Sequence, residues 1–204
     1  MPSAAFFANL GFFVRRNFVD VDDRERLMAE AAQAPCEPCL VVRHGTDDVL
    51  DDGFRNASSA LVSKTTRLHM RQRFAGLTTE LEAHFGTALA GSEAPGFLIY
   101  DAGSFFAAHT DMGNEDPDEI RRRRISAILF LNGPSGDALA GGYGGGTLRF
   151  HRLLDGPHWE ACPFAFEPEP GMLVAFRSDV VHEVLPVTFG RRFTIVTWFL
   201  AREA

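Results

Sequence analysis

The 204 residues are 46% hydrophobic and 23% charged, enough apolar material for one core without disulfide or metal staples. The formal net charge of -7 argues against a general nucleic-acid role, which wants a basic surface, and no apolar run approaches the roughly 20 residues of a membrane span. An odd set of three cysteines argues against a secreted disulfide scaffold and for a reducing, cytoplasmic compartment.

The apolar start from Ala4 to Val14 has Arg15 and Arg16 after it rather than a basic segment before it, so it reads as a packed segment and not a leader. Asp20 or Asp22 can cap a helix running to about Ala34, with acids in its first turn. Cys36 and Cys39 form a C-x-x-C pair without a second pair to complete a zinc site, and a strand over Leu40 to Arg43 follows it; the pair reads as structural. Ser58 to Val62 reads as another short strand. Leu77, Leu81 and Phe85 recur at helical spacing, which predicts one amphipathic helix over Leu68 to Phe85, stopped at Gly86.

From Gly96 onward short apolar runs alternate with Gly, Pro and Asp clusters, the pattern of a sandwich or barrel. Eight strands are predicted: Phe97 to Asp101, Ala107 to Thr110, Ile125 to Asn132, Gly146 to His151, Ala161 to Glu167, Met172 to Arg177, Val181 to Pro186 and Phe193 to Leu200. Eight is the strand number of a jelly roll. The stretch from Asn132 to Gly146 is glycine-rich but lacks the Lys-Ser/Thr ending of a phosphate loop, so it reads as a connection. The fold class is therefore mainly β with buttressing helices. One domain spans 1–204: residues 1–90 give helical and strand support, and 96–200 form the β core.

His109 and Asp111 stand two positions apart, so on a strand they point to the same side. His182, in a β stretch where packing alone would prefer an apolar residue, is the best third partner. Two imidazoles and a carboxylate on one face of an octahedral ion leave positions open, which suits non-haem Fe(II). Arg192, ten positions past His182, shares a strand face with Thr194, Val196 and Trp198. A guanidinium on an apolar interior face needs an anion, and a planar carboxylate matches it bidentately. The histidines at 44, 69, 84, 151 and 158 have no ligand spacing, and the basic run from Arg121 to Arg124 follows an acidic stretch that compensates it. Arg124, which opens a strand, is the member of that run best placed for the pocket rim.

The segments 100–111, 124–132, 145–150 and 170–199, in this order and spacing, resemble the prolyl-4-hydroxylase-like branch of the Fe(II)/2-oxoglutarate oxygenases, and together cover about half the chain. The resemblance implies a double-stranded β-helix (a cupin-like jelly roll), with Fe(II), 2-oxoglutarate and O2 as cofactor and cosubstrates. It implies His109, Asp111 and His182 as catalytic metal ligands and Arg192 as the anchor of the cosubstrate's C5 carboxylate. Tyr100 and Thr194 are implied helpers, and Arg124 and Trp198 are expected on the substrate side. Phe130 departs from relatives that carry a second tyrosine there, and Arg191 competes with Arg192 because some relatives place the anchor one position earlier. The implied reaction is hydroxylation of an unactivated C–H bond, of a prolyl or other amino-acid-derived substrate, releasing succinate and CO2. Open alternatives are a small natural-product substrate, or a non-catalytic jelly-roll binding module. The expected partner is a small molecule or a peptide, neither nucleic acid nor membrane. The loops over Met112 to Arg123 and Asn132 to Gly146 are expected to border the substrate entrance.

Overall fold

The computed structural model describes residues 2–41, 49–113, 116–136, 141–153 and 163–202. In chain order these form α1 (Ala4–Asn9), β1 (Phe13–Arg15), α2 (Val21–Gln33), β2 (Cys36–Pro38), β3 (Arg55–Asn56), β4 (Ser58–Ala60), α3 (Lys64–Ala75) and α4 (Thr78–Phe85). Then follow β5 (Leu89–Ser92), β6 (Gly96–Tyr100), β7 (Phe105–His109), α5 (Asp118–Arg121), β8 (Arg123–Phe130), β9 (Tyr143–Gly145) and β10 (Leu148–Phe150). The rest are β11 (Phe164–Phe166), β12 (Leu173–Arg177), β13 (His182–Val184), β14 (Val187–Gly190) and β15 (Arg192–Ala201).

Helices α1, α2 and α3 start where the sequence supplies a side-chain cap. Asp20 accepts a hydrogen bond from the Asp23 N–H at 2.8 Å and so opens α2. Ser63 caps α3 by accepting from the Thr66 N–H. The single helix expected over Leu68 to Phe85 is two helices. The chain breaks at Gly76, a poor helix residue, and Leu77 becomes the first flanking residue of α4. The apolar period survives the break: Met70 and Phe74 from α3 and Leu77 and Leu81 beyond it are all buried. Gly86 ends α4 in the left-handed region at φ 63°, its N–H bonded to the Glu82 carbonyl.

The strands form a jelly roll, the double-stranded β-helix. A large sheet runs β1-β12-β8-β15-β6-β4-β2 with β5 beside β15, and a smaller one runs β11-β10-β13-β7-β3. Period-two alternation in the large sheet feeds two cores. Phe97, Ile99, Leu129, Ala175, Ile195 and Phe199 face α2, α3 and α4. Leu98, Ile128, Phe130, Val174 and Phe176 face the small sheet, against Phe150, Phe166 and Val184. Much of the phenylalanine content is spent here: Phe12, Phe150, Phe166 and Phe176 are buried together, with Phe150 and Phe176 edge-to-face at 4.8 Å.

The eight expected core strands are present with shifted ends, except that residues 161–162 of one lie outside the described set. Of the strand expected over Leu40 to Arg43, residues 42–43 lie outside the described residues; Leu40 is in no strand and Val41 makes an isolated bridge to Val49, while β2 lies just before. Cys36 and Cys39 are free thiols, and Cys162 lies outside the described residues. The glycine-rich connection holds a strand, β9, paired with β14; a Cβ on Gly145 (φ +66°) would collide with the Pro186 carbonyl, so this pairing needs glycine.

Asn132 ties the end of β8 to the start of β15. Its Nδ2 donates to the carbonyls of Arg191 (2.7 Å) and Gly141 (2.9 Å), and its Oδ1 accepts from the Phe193 N–H (2.9 Å). Asn132→Ala leaves two carbonyls and an N–H unsatisfied in a buried place, so we expect a loss of about 2–3 kcal/mol. A denaturant-midpoint shift measures it, and an unchanged midpoint would mean that water replaces all three bonds.

Candidate active site

The two sheets leave a cavity of about 450 Å³ between them, open at one side. His109 ends β7 and His182 opens β13; they are direct cross-strand partners, their ring centroids 4.3 Å apart. Asp111 joins them differently from the expectation. It lies beyond the end of β7, in a bend whose Asp111 and Met112 N–H groups both bond to the Ser178 carbonyl (2.9 and 3.1 Å). The loop after β12 thus aims the carboxylate, not the pleat of a shared strand.

The three ligand atoms all lie within 4.8 Å of one another. Each Nε2 stands 3.6 Å from a different Asp111 oxygen, too far for a hydrogen bond and suited to groups that share a central ion. The His109 Nδ1 lies 2.8 Å from the Ala107 carbonyl and the His182 Nδ1 3.0 Å from the Val180 carbonyl. A carbonyl only accepts, so Nδ1 carries the proton and Nε2 turns its lone pair to the centre. Burial pushes the His182 imidazole down to about 4, helped by His109 and opposed by Asp111, so it is neutral at physiological pH. Burial opposes ionisation of Asp111, but the fields of His182 and His109 and the Ser126 hydroxyl outweigh it and hold the carboxyl below the usual carboxylate range. The donor set is two imidazoles, each with Nε2 turned to the centre, and an ionised carboxylate, the set a divalent ion needs.

Arg192, at the start of β15, is 1% exposed, and its Nε and Nη2 have no hydrogen-bond partner; neither has the buried Oγ1 of Thr194. The guanidinium lies 5.0 Å from the Tyr100 ring and 5.2 Å from the Phe130 ring, Tyr100 being its cross-strand neighbour on β6. Burial raises the Tyr100 phenol above its ordinary pKa, against the pull of Arg55 and Arg192, so it remains a donor. Arg192, Thr194, Val196 and Trp198 all line the cavity, as their shared strand face requires. Arg191 points the other way, half-exposed and paired with Asp101 at 2.7 Å.

Arg124 does not line the cavity: its Nη1 donates to the carbonyls of Arg121 and Arg123. Its neighbour Arg123 takes that wall because the pairing of β8 with β15 steps from Phe199–Ile125 to Leu200–Arg123, a bulge at Arg124 that breaks the alternation of faces. Arg123 pairs with Glu93 through two bonds (2.7 and 2.9 Å) and lies 3.8 Å above the Trp198 ring. Of the two loops expected at the entrance, the first supplies Gly113, Asp116 and Ile120, whereas no described residue of 132–146 lines the cavity. The rim that sequence reasoning missed is Leu40, Val41, Phe54 and Arg55. No residue spacing marks it, since the first pair reaches the cavity through the chain's course and not through a motif.

Residues 95–200 match the family model of the 2OG-Fe(II) oxygenase superfamily. The chain belongs to that superfamily. Its members use Fe(II), 2-oxoglutarate and O2, and the matched segment holds all three groups of the His–Asp–His cluster. Among curated relatives, a PKHD-type hydroxylase of Synechococcus sp. (strain JA-2-3B'a(2-13)) is 31% identical over 100 residues, 48% of this chain and 39% of the relative. A PKHD-type hydroxylase of Beijerinckia indica is 34% identical over 107 residues, 51% of this chain and 42% of the relative. The chain thus spans about two fifths of these relatives' length. In fold it resembles a Pseudomonas putida prolyl-4-hydroxylase (TM-score 0.70, 24% identity, 98% of this chain and 100% of the other). It also resembles a Trichoplax adhaerens prolyl hydroxylase solved with a hypoxia inducible factor peptide fragment (TM-score 0.73, 18% identity, 97% and 88%). Among the described residues no helix is long and apolar enough to cross a membrane.

Proposed function

We propose that this chain is a 2-oxoglutarate-dependent hydroxylase acting on an amino-acid-derived substrate, with residues 1–204 working as one unit. His109, Asp111 and His182 hold Fe(II). Arg192 holds the far carboxylate of 2-oxoglutarate, with Thr194 and Tyr100 donating beside it. The observation that carries the reading is a fully buried guanidinium with unmet donors in the same cavity as a His–Asp–His cluster. A buried cation in that state is costly until an anion meets it. The names of the similar proteins, PKHD-type hydroxylases and prolyl hydroxylases, support an amino-acid-derived C–H bond as the target.

When bound, iron and 2-oxoglutarate supply the oxidising chemistry, in which O2 is consumed, succinate and CO2 leave, and a hydroxyl group reaches the substrate carbon. The chain's own groups bind, orient and exclude water. His109 and His182 are fixed as Nε2 ligands by their carbonyl partners, and Asp111 supplies the negative charge. Phe106 stacks on His109 at 3.5 Å, and Phe150 and Phe176 pack around His182, so both rings are held in dry surroundings. Trp198, held under Arg123, forms the substrate-side wall.

Succinate release is the direct test. Purified protein is expected to convert 2-oxoglutarate to succinate only when Fe(II) and O2 are both present, and faster with prolyl peptides or amino-acid derivatives. Succinate formed without iron, or none with iron, 2-oxoglutarate and a broad substrate panel, would overturn the reading.

A further inference from the structure

Of the three arginines that line the cavity, Arg55 is used neither by the iron site nor by the 2-oxoglutarate site and has no carboxylate partner among the described residues. Arg55, on β3, is half-buried in the cavity wall. Its guanidinium lies 4.5 Å from the Phe106 ring centroid, and Phe106 in turn stacks on His109. Nη1 donates to the Leu40 carbonyl at 3.2 Å, while Nε is buried with no partner. No carboxylate pairs with Arg55 among the described residues, in contrast to Arg123, which Glu93 satisfies in the same cavity. Around it the rim is apolar, formed by Leu40, Val41, Phe54 and Phe106.

A cation in an apolar collar, with one edge spent on a backbone carbonyl and the Nε edge unmet, is a receptor for a single planar anion. A phosphate, with more charge to neutralise, would call for further cations, and the described residues of this rim supply none beside Arg55. Arg55 belongs to the small sheet that carries His109 and His182, whereas Arg192 is on the large sheet, so the two arginines address the cavity from different walls. One aromatic ring separates Arg55 from His109, so an acid anchored there needs only a few atoms to reach the metal centre.

We propose that Arg55 receives a carboxylate of the primary substrate, which makes that substrate a compact acid with an apolar body. It is then a free or N-acylated amino acid, or a peptide's carboxyl terminus, rather than an internal peptide segment. The inference rests on the oxygenase reading above.

The test is a calorimetric titration under anaerobic conditions, with the protein loaded with Fe(II) and saturating 2-oxoglutarate so that Arg192 is occupied. The probes are acid and amide pairs: N-acetyl-L-proline and N-acetyl-L-prolinamide, N-acetyl-L-leucine and its amide, and Ala-Ala-Pro with a free or amidated terminus. L-Proline and a peptide with an internal proline, blocked at both ends, complete the panel. In at least one pair the acid is expected to bind about tenfold or more tightly than its amide. Which pair does so separates a free acid from a peptide terminus. Arg55→Gln is expected to abolish the preference and Arg55→Lys to retain part of it, with 2-oxoglutarate affinity in both changed by less than about twofold. Amides that equal their acids in every pair, absence of binding by both included, overturn the proposal. So does tightest binding by the blocked internal peptide, or an Arg55→Gln change that weakens 2-oxoglutarate as much as the acid. Failure of 2-oxoglutarate itself to bind the iron-loaded wild-type protein sinks the oxygenase reading, and this inference with it.

Discussion

Arg192→Ala is expected to raise the KM for 2-oxoglutarate roughly 30-fold to several thousand-fold, the equivalent of losing about 2–5 kcal/mol from one charge-assisted anchor. Iron binding should stay nearly unchanged, because Arg192 makes no contact with the His–Asp–His cluster in the ion-pair and hydrogen-bond pattern of the site. The control is its neighbour. Arg191 is 43% exposed in its side chain and already paired with Asp101, so Arg191→Ala removes a half-exposed ion pair worth about 0–1 kcal/mol. A paired titration of 2-oxoglutarate at fixed iron separates the two. If Arg191→Ala proves damaging and Arg192→Ala mild, the anchor is one residue earlier than assigned. If neither matters, the cosubstrate is not held at this end of the cavity. Arg192→Met adds a second readout. It removes a buried cation with unmet donors, so the ligand-free protein is expected to melt higher while losing its stabilisation by 2-oxoglutarate.

Asp111→Ala, His109→Ala and His182→Ala are each expected to lower Fe(II) affinity by at least about 100-fold and to bring succinate formation to background, since each removes a direct ligand rather than a supporting group. The fold should persist, because the cluster is a small part of a core built from two large apolar faces. Thermal melts separate binding from folding. A metal present at 100 times its Kd adds about 2.7 kcal/mol to wild-type stability, and the variants should lose that increment while keeping the metal-free transition. His182→Ala carries the greatest risk to packing, as His182 is 4% exposed and meets Phe176 edge-to-face at 4.8 Å. Asp111→Ala, in the bend beyond β7, is therefore the cleaner probe. Full iron content and turnover in Asp111→Ala would refute the ligand set.

The core strands and the face shared by Arg192, Thr194, Val196 and Trp198 were legible in the sequence because each rests on local periodicity, whereas the His–Asp–His set was reached through the two-residue spacing of His109 and Asp111 and the family resemblance. Alternation on β15 sorts cavity from core without reference to any other segment. The same logic reached Asp111 for an incomplete reason. The spacing from His109 was informative, yet the carboxylate is aimed by a carbonyl of Ser178 nearly seventy residues further on. Where the local signal was a single residue, it misled: a bulge in the pairing of β8 with β15 falls at Arg124, so Arg123 and not Arg124 lines the cavity wall. Only the tertiary structure could bring Arg55 and Phe54 to the rim and pair β9 with β14. These are contacts between segments far apart in the chain, set by sheet order and by which backbone groups remain to be paired, and no residue spacing encodes them. By itself the sequence pointed to the residues that the fold gathers at the centre of the cavity, because residue type and strand period are local properties. The tertiary structure decided what surrounds that centre, because walls and rims are built from whichever distant residues the packing of two sheets leaves facing each other.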